Sequence, residues 1–292
     1  MFKNKKILIG IIIIICIVVI IGILCIININ SKKRIAANIL EYINDSIVEN
    51  NDNITKEYID NNISKVDKES ATQMITLYEE YQDNQIEKLY NEFKEQILKY
   101  NYSFDVDSLN NIENIQSEQL KNIIEKIRNN GYKFKKVWGD IIIVKDYSQF
   151  TEYTEYVSED KKIYLNIQNN YETQLYLYKD ITSLLNTIIE TENSIKKIKD
   201  TLIKEDAIEV YGNMLLLVIE GDEIYVPKAY GEEDNIQIIS EIQTCISENA
   251  NTVTANILNS YVETLKQDNY EYRDNGEQLT SDIRNNISSY FK

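Results

Sequence analysis

Two kinds of apolar pattern divide this chain. From Ile7 to Ile27 every residue is apolar or glycine, an unbroken run of 21 residues. As a helix rising about 1.5 Å per residue it spans roughly 31 Å, close to the ~30 Å hydrocarbon thickness of a bilayer. Beyond it the apolar residues become periodic. Ile35, Ile39, Ile43 and Ile47 step by four along one helix face, and Ile54, Tyr58, Ile59, Ile63 and Val66 mark a second helix. A longer stripe, Met74, Tyr78, Tyr81, Ile86, Leu89, Phe93, Ile97 and Tyr100, predicts a helix over about 69–100 with one slip near Gln85. Its irregular steps favour antiparallel packing over a coiled-coil seam. Ser117 is placed to cap a helix with Leu120, Ile123, Ile124 and Ile127 on its apolar face, ending at Gly131.

The period then falls to two. "YKFKKVW" and "IIIVKDY" read as two strands joined by Gly139-Asp140, a type II′ turn with glycine first. A lone hairpin is unstable, so this one has to pack on helices. Helical stripes return after candidate caps at Ser148 and Ser158. They run through Ile163, Ile167, Tyr171 and Leu175; Leu184, Leu185 and Ile188; Ile195, Ile198 and Leu202; and Ile208, Tyr211, Leu215 and Val218. The last three are Ile236, Ile239, Ile242 and Ile246; Val253, Ile257, Tyr261 and Leu265; and Leu279, Ile283, Ile287 and Phe291. The expected fold is mainly α. A transmembrane anchor with basic flanks over 1–34 precedes a helical stalk or subdomain over 35–130. A hairpin at about 132–147 then joins a helical bundle over 131–292.

The series "GYKFKKVWGDIIIVKDYSQFTEYTEYVSEDKKIYLNI", followed by "EVYGNMLLLVIEG" and a terminal helical pair, resembles uncharacterised extracytoplasmic proteins of low-GC Gram-positive bacteria. The shared features are a Gly-Tyr hairpin, the segment Asp146-Tyr147-Ser148-Gln149-Phe150 and the helix start Tyr156-Val157-Ser158-Glu159. The likeness covers about Gly131 to Phe291. It implies an envelope location and carries no assigned activity, so no functional residue transfers. Members are often lipid-anchored, and the N-terminus departs from them in this respect.

Lipid attachment needs a small residue before the modified cysteine, but Leu24 precedes Cys25 and Ile15 precedes Cys16. The apolar core also exceeds the 7–15 residues or so of a signal peptide. The pair Ala36-Ala37 is separated from it by Lys32, Lys33 and Arg34. The expectation is an uncleaved single-pass anchor in the cell membrane. Lys3, Lys5 and Lys6 balance the basic residues on the far side, and long domains translocate largely regardless of charge. The bulk of the chain is therefore expected outside, with a six-residue tail inside that leaves no room for a signalling domain.

Composition narrows the chemistry. Six of the 31 Lys and Arg residues precede Ile35, so 25 face all 47 acidic residues over 35–292, a net charge near −22. That excludes nucleic acid as a partner and disfavours anionic lipid surfaces, both of which need concentrated positive charge. The absence of histidine removes Ser-His-Asp and Cys-His catalysis and His-ligated metals. Cys245, the one cysteine beyond the anchor, sits on an apolar stripe and reads as a core residue. No cofactor, catalytic residue or metal-ligand set is expected. A carboxylate pair acting on glycosidic bonds is the remaining enzymatic route. Glu79-Glu80 and Glu159-Asp160, however, read as helix-surface and helix N-terminal charge. "DVDSLN" from Asp105 lacks both the sixth-position glycine and the twelfth-position Glu of an EF-hand loop.

Two places stand out as candidate binding sites. "EGDEIYVPKAYGEED" contains the sole proline and breaks the helical pattern. Its carboxylates Glu220, Asp222, Glu223, Glu232, Glu233 and Asp234 bracket one cation, Lys228. This is the pattern of a weak calcium or basic-protein site, or of a solvated loop. Trp138, the only tryptophan, is either a lid over the hairpin–helix junction or an exposed anchor for a partner. The expected function is a non-enzymatic binding or structural component of the cell envelope, engaging another envelope protein or a wall component. The alternatives are a carboxylate-dependent cell-wall glycan hydrolase and the outer subunit of a sensory or transport complex.

Overall fold

The computed structural model describes residues 28–52, 54–100, 106, 109, 112, 115, 117–137, 140–174, 181–220, 232–267 and 274–291. The run Ile7–Ile27, Trp138 and most of the "DVDSLN" segment lie outside these. Among the described residues no helix is long and apolar enough to cross a membrane. The fold is mainly α-helical with one small antiparallel hairpin. It divides into two compact units, one reaching to Lys145 and including Tyr156–Ser158, the other holding Asp146–Glu155 and the chain from Glu159 onward.

The first unit begins with α1, residues 28–49. Its inner face is Ala36, Ile39, Ile43 and Ser46, all buried. Ile35, expected in this stripe, is 36% exposed, because helical three-and-four spacing from Ile39 falls on Ala36. Helix α2 (Lys56–Ile63) is capped by Thr55, whose hydroxyl accepts from the Tyr58 N–H at 3.2 Å. Ile54 and Val66 flank α2 and are buried with it. The 33-residue α3 (Lys68–Tyr100) runs through the unit and packs on α2, on α4 (Glu118–Asn129) and on strand β2. Ser117 caps α4, accepting from the Leu120 N–H at 3.3 Å.

The slip in the α3 stripe is a buried polar belt. Gln82 and Gln85 are 0% and 4% exposed and lie at helical spacing with Tyr78, Tyr81 and Leu89. The Gln82 amide donates to the carbonyls of Asn130 (2.9 Å) and Gly131 (3.3 Å), and the Tyr78 hydroxyl also donates to Asn130 (2.9 Å). One turn away, Tyr81 donates to the Asn51 carbonyl (2.8 Å) and Gln85 to the Asn50 side-chain oxygen (2.9 Å). Both targets lie where a helix stops in left-handed backbone, α1 at Asn50 (φ 50°) and α4 at Gly131 (φ 82°). These are residue types that tolerate such a conformation. The belt thus holds two helix C-termini against the middle of α3. Burial pushes the Tyr78 and Tyr132 hydroxyls up and Tyr81 up to about 12, so all three remain protonated donors at neutral pH.

Strands β1 (Tyr132–Val137) and β2 (Asp140–Lys145) pair Phe134 with Ile143 and Val137 with Asp140. The connecting pair is therefore Trp138-Gly139. The expected turn, Gly139-Asp140, is one residue late, and the glycine-first reason for a type II′ turn goes with it. The hairpin ends at Lys145 rather than at 147, because Tyr147 already belongs to α5 (Tyr147–Phe150). The hairpin packs on helices, β1 on α4 and β2 on α3, with the Phe93 and Phe134 rings 4.8 Å apart. Those contacts group it with the helices before it, whereas the change of period had grouped it with those after it.

In the second unit α5 is capped by Asp146, which accepts from the Ser148 N–H at 3.3 Å. Ser148, a candidate cap, lies inside the helix. Tyr147, Phe150 and Tyr153 form an aromatic cluster against α6 (Glu159–Gln174), which starts directly after Ser158. The fully buried Lys161 holds its ammonium 4.5 Å from the Tyr164 ring centroid. Helix α7 (Ile181–Ile195) is followed by α8 (Thr201–Glu220), which is buried on almost every side. Helix α8 packs on α6, α7, α11 (Asp274–Asn286) and the closing 3-10 turn Ile287–Phe291, while α9 (Glu232–Glu248) and α10 (Val253–Gln267) pair beside α7. A helix apolar all round belongs at the centre. The stripe Ile195, Ile198, Leu202 is not one helix: the chain turns at 196–200, and Leu202 is 72% exposed.

Replacing Gln82 with alanine leaves two buried carbonyls short of a donor and is expected to cost about 1–3 kcal/mol. A urea midpoint unchanged in the Gln82→Ala protein would contradict the role given to the belt.

Candidate functional site

The residues singled out from sequence are only partly placed. Glu220 ends α8 and accepts from the Arg284 guanidinium of α11 at 2.6 and 2.8 Å. Asp222, Glu223 and Trp138 lie outside the described residues. Glu232, Glu233 and Asp234 open α9, but their side chains are not among those described. Glu220 is thus an ion-pair partner, and the second cation near this segment is Arg284, far away in sequence. Among the described residues no group of three or more Cys, Asp and Glu could hold a metal ion. Cys245 is buried, and burial pushes its thiol up, away from reactivity.

A groove that sequence reasoning missed lies between α8 and α11 in the second unit. Its volume is about 540 Å³, within the roughly 300–1,000 Å³ typical of small-ligand sites. Glu205, Asp206 and Glu209 line one wall and are exposed; Leu216, Ile283 and Ile287 form a buried apolar floor. Gly212 lies between wall and floor. A Cβ there would meet only Ile287, at 3.5 Å or more, which is ordinary contact. A mid-helix glycine costs roughly 0.5–1 kcal/mol relative to alanine. No packing neighbour requires that cost, and its structural effect is to keep the groove open. The available signals were two carboxylates at i, i+4 and a glycine inside an otherwise apolar helix.

The unit also buries one carboxylate completely. Glu192 on α7 is 0% exposed, yet it accepts from the N–H groups of Val253 (3.1 Å) and Thr254 (2.8 Å), from the Thr254 hydroxyl (2.7 Å) and from Lys196 (2.6 Å). Thr254 is also 2.8 Å from the Tyr211 hydroxyl at the centre of α8. Burial raises the Glu192 pKa, but the bonds from Lys196, Thr254 and Val253 outweigh it and leave the carboxyl below its ordinary value. Glu192 therefore serves as an ionised cap for the first turn of α10, joining α7, α8 and α10. A general acid needs the opposite shift.

Both acidic pairs read from sequence as surface charge need correction. Glu79 is 6% exposed, since it shares the buried side of α3 with Met74, Tyr78 and Gln82. Asp160 reaches back to the N–H groups of Lys199 (3.0 Å) and Asp200 (2.7 Å), while Asp200 caps α8 through Leu202 and Ile203.

Comparison with protein-family models, with curated proteins and with solved structures finds no match.

Replacing Glu192 with glutamine is expected to cost about 2–4 kcal/mol at pH 7. Because the folded pKa is lowered, the stabilisation is complete above the ordinary value of 4.5 and fades as pH falls through the folded value. The stability gap between wild type and Glu192→Gln should therefore be constant near neutrality and close in acid. A gap that widens on acidification would refute the assignment.

Proposed function

We propose that this chain is a membrane-anchored, extracytoplasmic and non-enzymatic binding protein of the cell envelope. The anchor rests on the length of Ile7–Ile27 and on the residue preceding each anchor cysteine. Helix α1 begins at residue 28, directly after that run, so the polypeptide enters the described part already helical. The resemblance of 131–291 to extracytoplasmic proteins supports the same location.

The observation that carries the binding reading is the groove on α8 and α11. It combines ligand-sized volume, an apolar floor and a wall of solvated carboxylates. Three carboxylates on one groove also suit the hydrolase alternative. Against it, Glu205, Asp206 and Glu209 are all exposed, so none has the apolar surroundings that keep a carboxylic acid protonated at neutral pH. The buried carboxylate of this unit, Glu192, is committed to α10.

External protease on intact cells should remove the bulk of the chain and leave a membrane-bound peptide containing Lys3 to Lys6. The purified full-length protein should then retain wall sacculi or an envelope protein without releasing sugar reducing ends. Release of reducing ends that disappears in Glu205→Gln or Glu209→Gln would replace this reading with the hydrolase.

A further inference from the structure

The groove's lining is asymmetric in charge. Glu205, Asp206 and Glu209 stand toward the start of α8, whereas Arg284 at the other end is already held by Glu220 at 2.6 Å. The lining is therefore short of positive charge on one wall only. Residues four apart on a helix lie about 5–6 Å from each other, so the Glu205 and Glu209 carboxylates form a pair at a fixed interval. From Glu205 to Leu216 the wall runs about 16 Å along the helix axis. Beyond the acidic stretch the surface changes to Gly212, Leu216 and Ile287, which offer apolar contact and no hydrogen-bonding side chain.

We propose that this groove binds a linear aliphatic polyamine. Ammonium groups three or four methylenes apart match the interval between Glu205 and Glu209, and the intervening chain lies over Gly212 and Ile287. The missing side chain at Gly212 provides the depth for those methylenes, which explains a glycine that no packing neighbour demands. A hydrated metal ion would use the acidic wall and leave the apolar floor uncovered. The polyamine fits both. This assignment rests on the binding reading above and names its ligand class.

The test is calorimetric titration of the full-length protein in mild detergent with spermidine as the probe. The expected result is saturable one-to-one binding, weakened at least tenfold in the double variant Glu205→Gln/Glu209→Gln. Gly212→Ala should weaken it at least threefold with a thermal midpoint equal to or above wild type, which separates a filled groove from a damaged fold. The absence of saturable binding would overturn the proposal. So would binding that neither variant alters, or binding that magnesium at matched ionic strength abolishes, since either result would reduce it to general attraction by an acidic surface. A protein that retains wall material or an envelope partner yet ignores spermidine would lose this ligand class and keep the broader reading.

Discussion

Each helix leaves four N–H groups at its start and four carbonyls at its end without intrahelical partners. Most proteins meet the carbonyl end with glycine and turn the chain with proline, but this one has eight glycines and one proline in 292 residues. Its helix ends are met instead by long side chains reaching from neighbouring helices. In the first unit Tyr78, Tyr81, Gln82 and Gln85 supply donors to the chain at Asn50–Asn51 and Asn130–Gly131. In the second, Glu192 and Asp160 supply acceptors to N–H groups at Val253–Thr254 and Lys199–Asp200.

This solution ties secondary structure to tertiary packing. A glycine stop works locally, whereas a glutamine on α3 ends α4 only if α4 is already packed beside it. The buried partners are costly to remove, because each would strand a polar group away from water. They also fix helix positions by directional bonds where apolar contact alone tolerates sliding. In the second unit the Glu192–Thr254–Tyr211 chain ties α10 and α7 to the central helix α8. The same α8 carries the groove's acidic wall and Gly212. A rigid central helix is the support on which a shallow binding groove keeps its shape.

Much of the helical framework was legible in the sequence, since apolar residues at three-and-four spacing have a single stable use. The α3 stripe, the Ser117 cap, Gly131 and the burial of Ile208, Tyr211, Leu215 and Val218 all follow from it. Less legible were polar residues on those same stripes. Gln82, Gln85 and Glu192 each sit at apolar spacing, yet hydrophobicity alone turns them into interruptions. The hairpin register was ambiguous for another reason: Ile141, Ile142 and Ile143 give β2 no alternation, so only pairing with Phe134 shows which isoleucine faces inward. The Ile195–Leu202 stripe misled because the turn at 196–200 is set by Asp160, a residue some forty positions earlier. The groove needs two distant helices side by side, and nothing local announces that.

Amide hydrogen exchange at the start of α10 tests the central claim most directly. First-turn N–H groups of a helix ordinarily face water and exchange freely. If Glu192 ends this helix from inside the unit, Val253 and Thr254 should exchange as slowly as the core of α8 at pH 7, and the Glu192→Gln protein should lose that protection at these two amides first. Rapid exchange at Val253 and Thr254 in the wild-type protein would contradict an account in which buried side chains replace glycine and proline at the helix ends.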